Sequence, residues 1–185
     1  MRQPIVAVIG ASATGPDEPD YVDGVRLGRL LAGAGFAVAS GGYGGLMEAV
    51  SAGAAQSGGR VIGITAPSVF PGRAGANAFV ADERPAATIP ERIQDMLAMS
   101  DAVVALPGSL GTLTELVLAW NLALVAPFSD RQPVPIVAVG RTWAELVPLL
   151  TERLATNGDL VQCVAGVDEA AALVAEHLNK PAAPR

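Results

Sequence analysis

Three side chains carry the chemistry this chain can offer: Glu115, Arg92 and Glu48. Glu115 lies about one helical turn past a glycine-bearing stretch, Leu106-Pro-Gly-Ser-Leu-Gly-Thr-Leu-Thr-Glu115. The run from Asp101 to Leu106 is apolar, the pattern of a strand buried on both faces of a parallel sheet. Leu113, Leu116, Val117 and Trp120 then recur at helical spacing, which predicts a helix starting at Gly111 or Thr112. Gly108 and Gly111 allow a tight turn and a close approach of backbone to ligand. The first amides of a helix lack intrahelical acceptors and stand at its positive end. Gly108, Ser109, Leu110, Gly111 and Thr112 are therefore expected to cradle a phosphate, with Glu115 beside it. Arg92 falls in the first turn of a predicted helix, Glu91 to Met99, where the dipole disfavours a cation. Either an anion across a cleft or an ion pair with Asp95 at i+3 accounts for it. Glu48 occupies a first helical turn, where it serves the dipole or acts as a second acid.

These residues need a scaffold, and the apolar pattern supplies one. Short strands are predicted at Pro4–Ile9, Phe36–Ala39, Val61–Thr65, Asp101–Leu106, Val134–Gly140 and Leu160–Val164, with a further short one at Ala78–Ala81. Helices alternate with them. The first has Val22, Val25, Leu27, Leu30 and Leu31 as its apolar stripe, with Arg26 and Arg29 solvated, and ends at Gly33–Gly35. Others run Leu46–Gln56, Glu91–Met99, Gly111 to about Val125, Thr142–Leu154 capped by Thr142, and Asp168–Leu178 opened by Asp168. The alternation predicts an α/β, three-layer, doubly wound and mostly parallel sheet. The turns after Ile9 (Ser12), after Ala39 (Gly42, Gly44, Gly45) and after Leu106 all lie at carboxyl ends of strands, where a switch point gathers them. The loop Ala66–Ala87, with three prolines, is expected beside the site, and with Met96 it is the candidate base pocket. Cys163 is assigned to packing and His177 to an exposed helix face.

Composition removes several classes of function. The 185 residues suit one domain, 1–178, followed by a tail, 179–185, read as disordered. No apolar run approaches the roughly 18 residues needed to span a bilayer, and the chain enters its first strand at once, so a cytoplasmic protein without membrane contact is expected. One cysteine excludes an internal disulfide, and one histidine removes the usual metal-ligand sets, so no metal or cofactor is expected. A net charge of −6 opposes nucleic-acid binding. The single lysine, Lys180, lies in the tail, which leaves no lysine for a pyridoxal-phosphate Schiff base.

Taken together, Gly-Gly-Tyr-Gly-Gly-Leu-Met-Glu from Gly41, Glu91-Arg92 with Met96, and Pro107-Gly-Ser-Leu-Gly-Thr-Leu-Thr-Glu115 resemble the LOG (LONELY GUY) family. The similarity runs from about Ile5 to Leu150, and its most specific part is the family pattern PGGxGTxxE. It implies a Rossmann-like fold, a homodimer and a phosphoribohydrolase that frees a purine or cytokinin base from a nucleoside 5′-monophosphate without a cofactor. By the match, Glu115 and Arg92 are the catalytic pair and Gly108, Gly111 and Thr112 the phosphate loop. Ser109 stands in place of the family's second glycine, Ile93 in place of a lysine and Glu48 in place of a glycine. The wider superfamily includes nucleotide-sensing domains and molybdenum-cofactor carriers, so binding without hydrolysis is the alternative.

Overall fold

The computed structural model describes residues 2–73, 75–129 and 132–180. Its strands are β1 (Ile5–Ile9), β2 (Ala37–Ser40), β3 (Val61–Thr65), β4 (Asp82–Pro85), β5 (Ala102–Ala105), β6 (Ile136–Val139) and β7 (Val161–Val164). Its helices are α1 (Pro19–Gly33), α2 (Leu46–Gln56), α3 (Ile89–Met99), α4 (Leu110–Val125), α5 (Arg141–Leu154) and α6 (Val167–Asn179). All seven strands join one sheet in the order β4-β3-β2-β1-β5-β6-β7, and every pairing is parallel.

Successive side chains of a strand point to opposite faces, and β1 shows what that requires of a sheet covered twice. Ile5, Ala7 and Ile9 pack with residues of α3, α4 and α5, whereas Val6 and Val8 pack with α1, α2 and α6. The fold is therefore a three-layer, Rossmann-like α/β arrangement. The chain winds one way from β1 and the other way from β5, and these two strands are neighbours, with Ala7 opposite Val103 and Ile9 opposite Ala105. Their carboxyl ends thus open a crevice at the switch point.

The layer of α1, α2 and α6 depends on glycine. An added Cβ at Gly28 would overlap the Val50 carbonyl, and one at Gly53 would overlap the Val25 carbonyl, so α1 and α2 cross with their backbones nearly touching. This corrects the expected stripe of α1. The buried residues are Gly24, Leu27, Gly28 and Leu31, while Val22 is 59% exposed and Leu30 faces outward. Arg26 and Arg29 are on the solvated face, paired with Asp168 and Gln56.

Several boundaries move for local reasons. The strand expected at Ala78–Ala81 forms instead at Asp82–Pro85, because Phe79 and Val80 sit in a turn closed by Asn77. That edge strand is charged and ends in proline, which blocks further pairing. Helix α5 is preceded by Gly140 rather than capped by Thr142, and α6 follows Gly166, with Asp168 in its first turn. Cys163 is exposed on the edge strand β7 rather than packed in the core. Helix α6 continues to Asn179, and Lys180 pairs with Glu176; of the tail expected to be disordered, residues 181–185 lie outside the described residues. Contrary to the expectation that no stretch reaches membrane-spanning length, Leu110–Phe128 does so, with a mean hydropathy of 1.4. Its Leu116, Ala119, Trp120 and Ala123 pack on the sheet, as a core helix does.

The helix crossing makes a testable demand. Gly53→Ala should destabilise the fold by about 2 kcal/mol, the usual cost of overpacking. Gly33→Ala, whose Cβ meets nothing within 4 Å, should be neutral or slightly stabilising. Urea unfolding of the two variants measures both.

Candidate active site

Three loops meet at the crevice and are tied to one another through the backbone. The Ala11 amide donates to the Pro107 carbonyl at 3.1 Å, and the Leu46 amide donates to the Ala11 carbonyl at 2.8 Å. Behind them, the fully buried Trp143 donates its indole N–H to the Leu106 carbonyl at 3.0 Å and fixes the residue from which the glycine-bearing turn departs. Gly108 then passes so close to Thr112 that any side chain there would overlap the threonine.

Helix α4 begins one residue earlier than predicted, after Ser109, whose side chain makes no capping bond. The first helical hydrogen bond runs from the Leu113 amide to the Ser109 carbonyl, so the amides of Leu110, Gly111 and Thr112 have no helical acceptor. A Cβ on Gly111 would meet nothing within 4 Å, so the flank of this first turn is open at that residue. The geometry is that of an anion-binding helix terminus.

Arg92 and Glu115 come together here from α3 and α4. Arg92 Nη1 lies 3.3 Å from Glu115 Oε1, and the two side chains are 9% and 12% exposed. The remaining guanidinium groups are also engaged: Nε donates to the Ile64 carbonyl at 2.7 Å, and Nη2 contacts Met47 Sδ at 3.7 Å. The pair across the cleft, not Asp95, accounts for the arginine in the first turn of α3. Burial raises the Glu115 carboxyl above its ordinary 4.5, and the nearby Arg92 charge opposes that rise. Burial likewise lowers the Arg92 guanidinium, against the pull of Glu115. Desolvation wins over attraction for both partners, as it does when a pair is taken out of water. Arginine still remains charged at neutral pH.

Around this pair lies a cleft of about 250 Å³, whose lining includes the small or polar residues Ser12, Ser109, Gly111 and Thr112 and the apolar residues Met47, Phe70, Ile89 and Ile93. A groove of about 400 Å³ adjoins it, sharing Ser12 and Arg73 and including Tyr43, Gly44 and Asn77. Another cavity, about 380 Å³, lies at the opposite end of the sheet between α3, α4 and the start of β6. Among the described residues it is lined by apolar side chains with Gln94, Ser100 and Gln132, none of them titratable.

The structure brings Ser12, Arg92, Ser109, Gly111, Thr112 and Glu115 into one cleft, and puts Gly44 in the groove beside it. Leu110 turns its side chain out, 77% exposed, so only its amide faces the site's end of the helix. Gly42 and Gly45 are buried in the wall, at φ of 75° and 71°, against Gly63 and against Ala11 and Ser12. They shape the loop without lining the cleft. Two expectations are corrected. Glu48 is outside the cleft, near Gly44 and close enough to Tyr21 to raise its phenol after burial has done so. Met96 is fully buried in the core among α3 and the sheet, because its position on α3 faces inward, and Met47 of α2 is the methionine that lines the cleft.

The expected loop Ala66–Ala87 does line the cleft, through Phe70 and Arg73, which sequence reasoning did not single out; it missed Gly41, Tyr43 and Met47. An added Cβ at Gly41 would overlap the Arg92 guanidinium, so this glycine is the space into which the arginine fits. Tyr43 is buried, accepts from the Ala66 amide at 2.8 Å, and presents its ring to Arg73 at 4.6 Å and to Arg92 at 5.8 Å. The only sequence signal for either was membership in the glycine run.

A parallel doubly wound sheet with an open helix N-terminus and a buried arginine–glutamate pair at its switch point defines a Rossmann-like domain of the LOG type. A family model, the SLOG cluster4 family, matches residues 3–126, and the chain belongs to that family. It is 36% identical over 118 residues to a probable cytokinin riboside 5′-monophosphate phosphoribohydrolase of rice, Oryza sativa subsp. japonica, a match covering 62% of this chain and 52% of the rice protein. The chain thus spans about half the length of the curated relatives it matches. Among solved structures, the molybdenum cofactor carrier protein of Chlamydomonas reinhardtii superposes with a TM-score of 0.75 at 26% identity, covering 97% of this chain and 100% of the carrier. The molybdenum cofactor binding protein of Rippkaea orientalis gives 0.76 at 24% identity, covering 97% and 99%, and shares the fold.

Gly41→Ala should push the guanidinium away from Glu115 and move the Glu115 carboxyl further up, since only Arg92 opposes its desolvation. Carbon NMR titration of that carboxyl, in wild type and variant, reads the change; an unmoved titration would show that Gly41 does not set the pair.

Proposed function

We propose that the chain hydrolyses the N-glycosidic bond of a nucleoside 5′-monophosphate, of purine or cytokinin type, giving free base and ribose 5-phosphate. The observation that carries this reading is a buried carboxylate, raised toward neutrality and 3.3 Å from a buried arginine, in the same cleft as an uncapped helix N-terminus. The rice relatives support it.

In this mechanism the phosphate docks on the amides of Leu110, Gly111 and Thr112 with the Ser109 and Thr112 hydroxyls, which positions the sugar. The apolar residues Met47, Phe70, Ile89 and Ile93 receive the base. Water adds to C1′ as the C1′–N bond breaks, and the bonding electrons leave with the base. Ionised Glu115 stabilises the cationic sugar and takes the water's proton, a task suited to a carboxylate whose basicity burial has increased. Arg92 stabilises the negative charge on the departing base electrostatically, since its own proton is held too tightly for general acid work. The base is then protonated by solvent or by the proton held on Glu115. A homodimer, implied by the same family resemblance, is part of the proposal, and sedimentation velocity tests it.

The likeness to the Chlamydomonas carrier favours a second reading, a binding protein that holds a nucleotide or a phosphorylated pterin such as the molybdenum cofactor without turnover. In that reading Glu115 grips ligand hydroxyls. Incubation with a panel of nucleoside 5′-monophosphates, followed by chromatography for base and ribose 5-phosphate, separates the two. The hydrolase reading expects base release that falls by about 10²–10⁴ in Glu115→Gln and by about 10²–10³ in Arg92→Ala. It also expects an acid limb above the ordinary carboxylate range, because activity is lost as the pH falls through the raised Glu115 value, and Arg92→Met should move that limb higher. Tight binding with no base release from any member of the panel would establish the carrier reading instead.

A further inference from the structure

The long connection between β3 and β4 contributes two side chains to the cleft, Phe70 and Arg73. It is pinned at both ends to the glycine run: the Ala66 amide donates to the Tyr43 hydroxyl, the Asn77 amide donates to the Gly42 carbonyl at 2.7 Å, and the Asn77 side-chain amide donates to the Tyr43 carbonyl at 3.0 Å. Between the pins, Arg73 lies 4.6 Å from the ring centroids of both Tyr43 and Phe70, which meet edge to face. Aromatic contacts hold a guanidinium by its faces and leave its in-plane N–H donors unspent. Arg92 has all three of its nitrogens engaged, whereas Arg73 donates no side-chain hydrogen bond and has no carboxylate partner among the described residues.

The charge balance of the cleft points the same way. Its charged lining consists of Arg73, Arg92 and Glu115. Arg92 is committed to Glu115, and Arg73 is close enough to lower the Arg92 guanidinium further by like-charge repulsion. One positive charge is left over in a chain of net charge −6. Arg73 also lines the adjoining groove, which shares Ser12 with the cleft into which the first turn of α4 opens. Of the carboxylates near that groove, Glu83 accepts from the Thr65 hydroxyl and Glu48 is near Gly44 and Tyr21, so neither is paired with Arg73.

We propose that Arg73 is the residue that grips the ligand's phosphate monoester opposite the α4 N-terminus, and so selects phosphorylated over unphosphorylated nucleosides. The assignment rests on the nucleoside monophosphate reading above. Tyr43 and Phe70 act as the rails that aim it, and the β3–β4 connection becomes a specificity loop.

The test is the binding of inorganic phosphate, measured by titration calorimetry, to wild type, Arg73→Ala and Arg73→Lys, alongside the KM and kcat for the monophosphate that is hydrolysed and the Kd for its unphosphorylated nucleoside. Arg73→Ala should weaken phosphate binding and raise KM by about tenfold, the worth of one charge-assisted hydrogen-bonded pair, with kcat within about threefold and nucleoside affinity unchanged. Arg73→Lys should recover part of the loss. Unchanged phosphate affinity in Arg73→Ala overturns the proposal, and so does an equal loss toward monophosphate and nucleoside, which would mean that Arg73 only packs against the two rings. Base release by the wild type together with Arg73-independent phosphate affinity sinks this proposal alone. Arg73-dependent phosphate binding without base release from any nucleotide sinks the hydrolase reading and leaves the Arg73 assignment standing.

Discussion

The contact on which the site depends is the buried pair of Arg92 and Glu115, since a charge taken out of water is tolerable only with a partner in place. Each feature around it serves that requirement. Gly41 leaves room for the guanidinium, the Ile64 carbonyl at the end of β3 takes one N–H, and Met47 of α2 closes the far side. Four elements of the chain therefore converge on one arginine. The sheet order is what makes such convergence possible, because β1 and β5 lie side by side and the loops on either side of them face one another.

The same pair sets this cleft apart from the larger apolar cavity at the other end of the sheet. Charges moved from their ordinary values by their environment mark candidate sites, and the described lining of the apolar hollow supplies none. Helix α4 joins the two. Its first turn leaves three amides without helical acceptors, its second turn carries Glu115, and its middle, Leu116 to Ala123, anchors it on the sheet. One face of the helix, Leu116, Ala119, Trp120 and Ala123, is packed on the sheet, whereas Leu110, Val117, Leu122 and Val125 are exposed.

Much of this was legible in the sequence. Strand and helix alternation gave the architecture, and the glycine turn before α4 marked the start of a helix without a side-chain cap, because both rest on local backbone chemistry. What could not be read were facts of direction. Met96 and Met47 are equally apolar, and only the rotation of α3 and α2 against the sheet decides that one is core and the other lines the cleft. Glu48 follows the same logic, since a shift of one position around a helix separates a cleft acid from a surface one. Gly24 and Gly28 of α1 belong to the contact face, and a missing Cβ leaves no apolar signal for periodicity to detect. The loop residues Phe70 and Arg73 carry no period at all, and their role depends on where Tyr43 pins the chain.

The crossing of α1 and α2 carries a consequence for how this scaffold can diversify. Both helices emerge from the loops that form the crevice, and their backbones meet without a side chain's thickness between them. The spacing of those two loops is therefore set by backbone contact, and substitutions in either helix have little freedom to widen or narrow the crevice without loss of the fold. The β3–β4 connection is fastened to the glycine run at Ala66 and Asn77 and meets the sheet again at Ala81, whose amide donates to the Val61 carbonyl, so Phe70 and Arg73 lie outside the helix crossing. New ligand preferences in this architecture would be reached through that connection, by exchange of its side chains, while the layer behind the crevice stays as a fixed gauge.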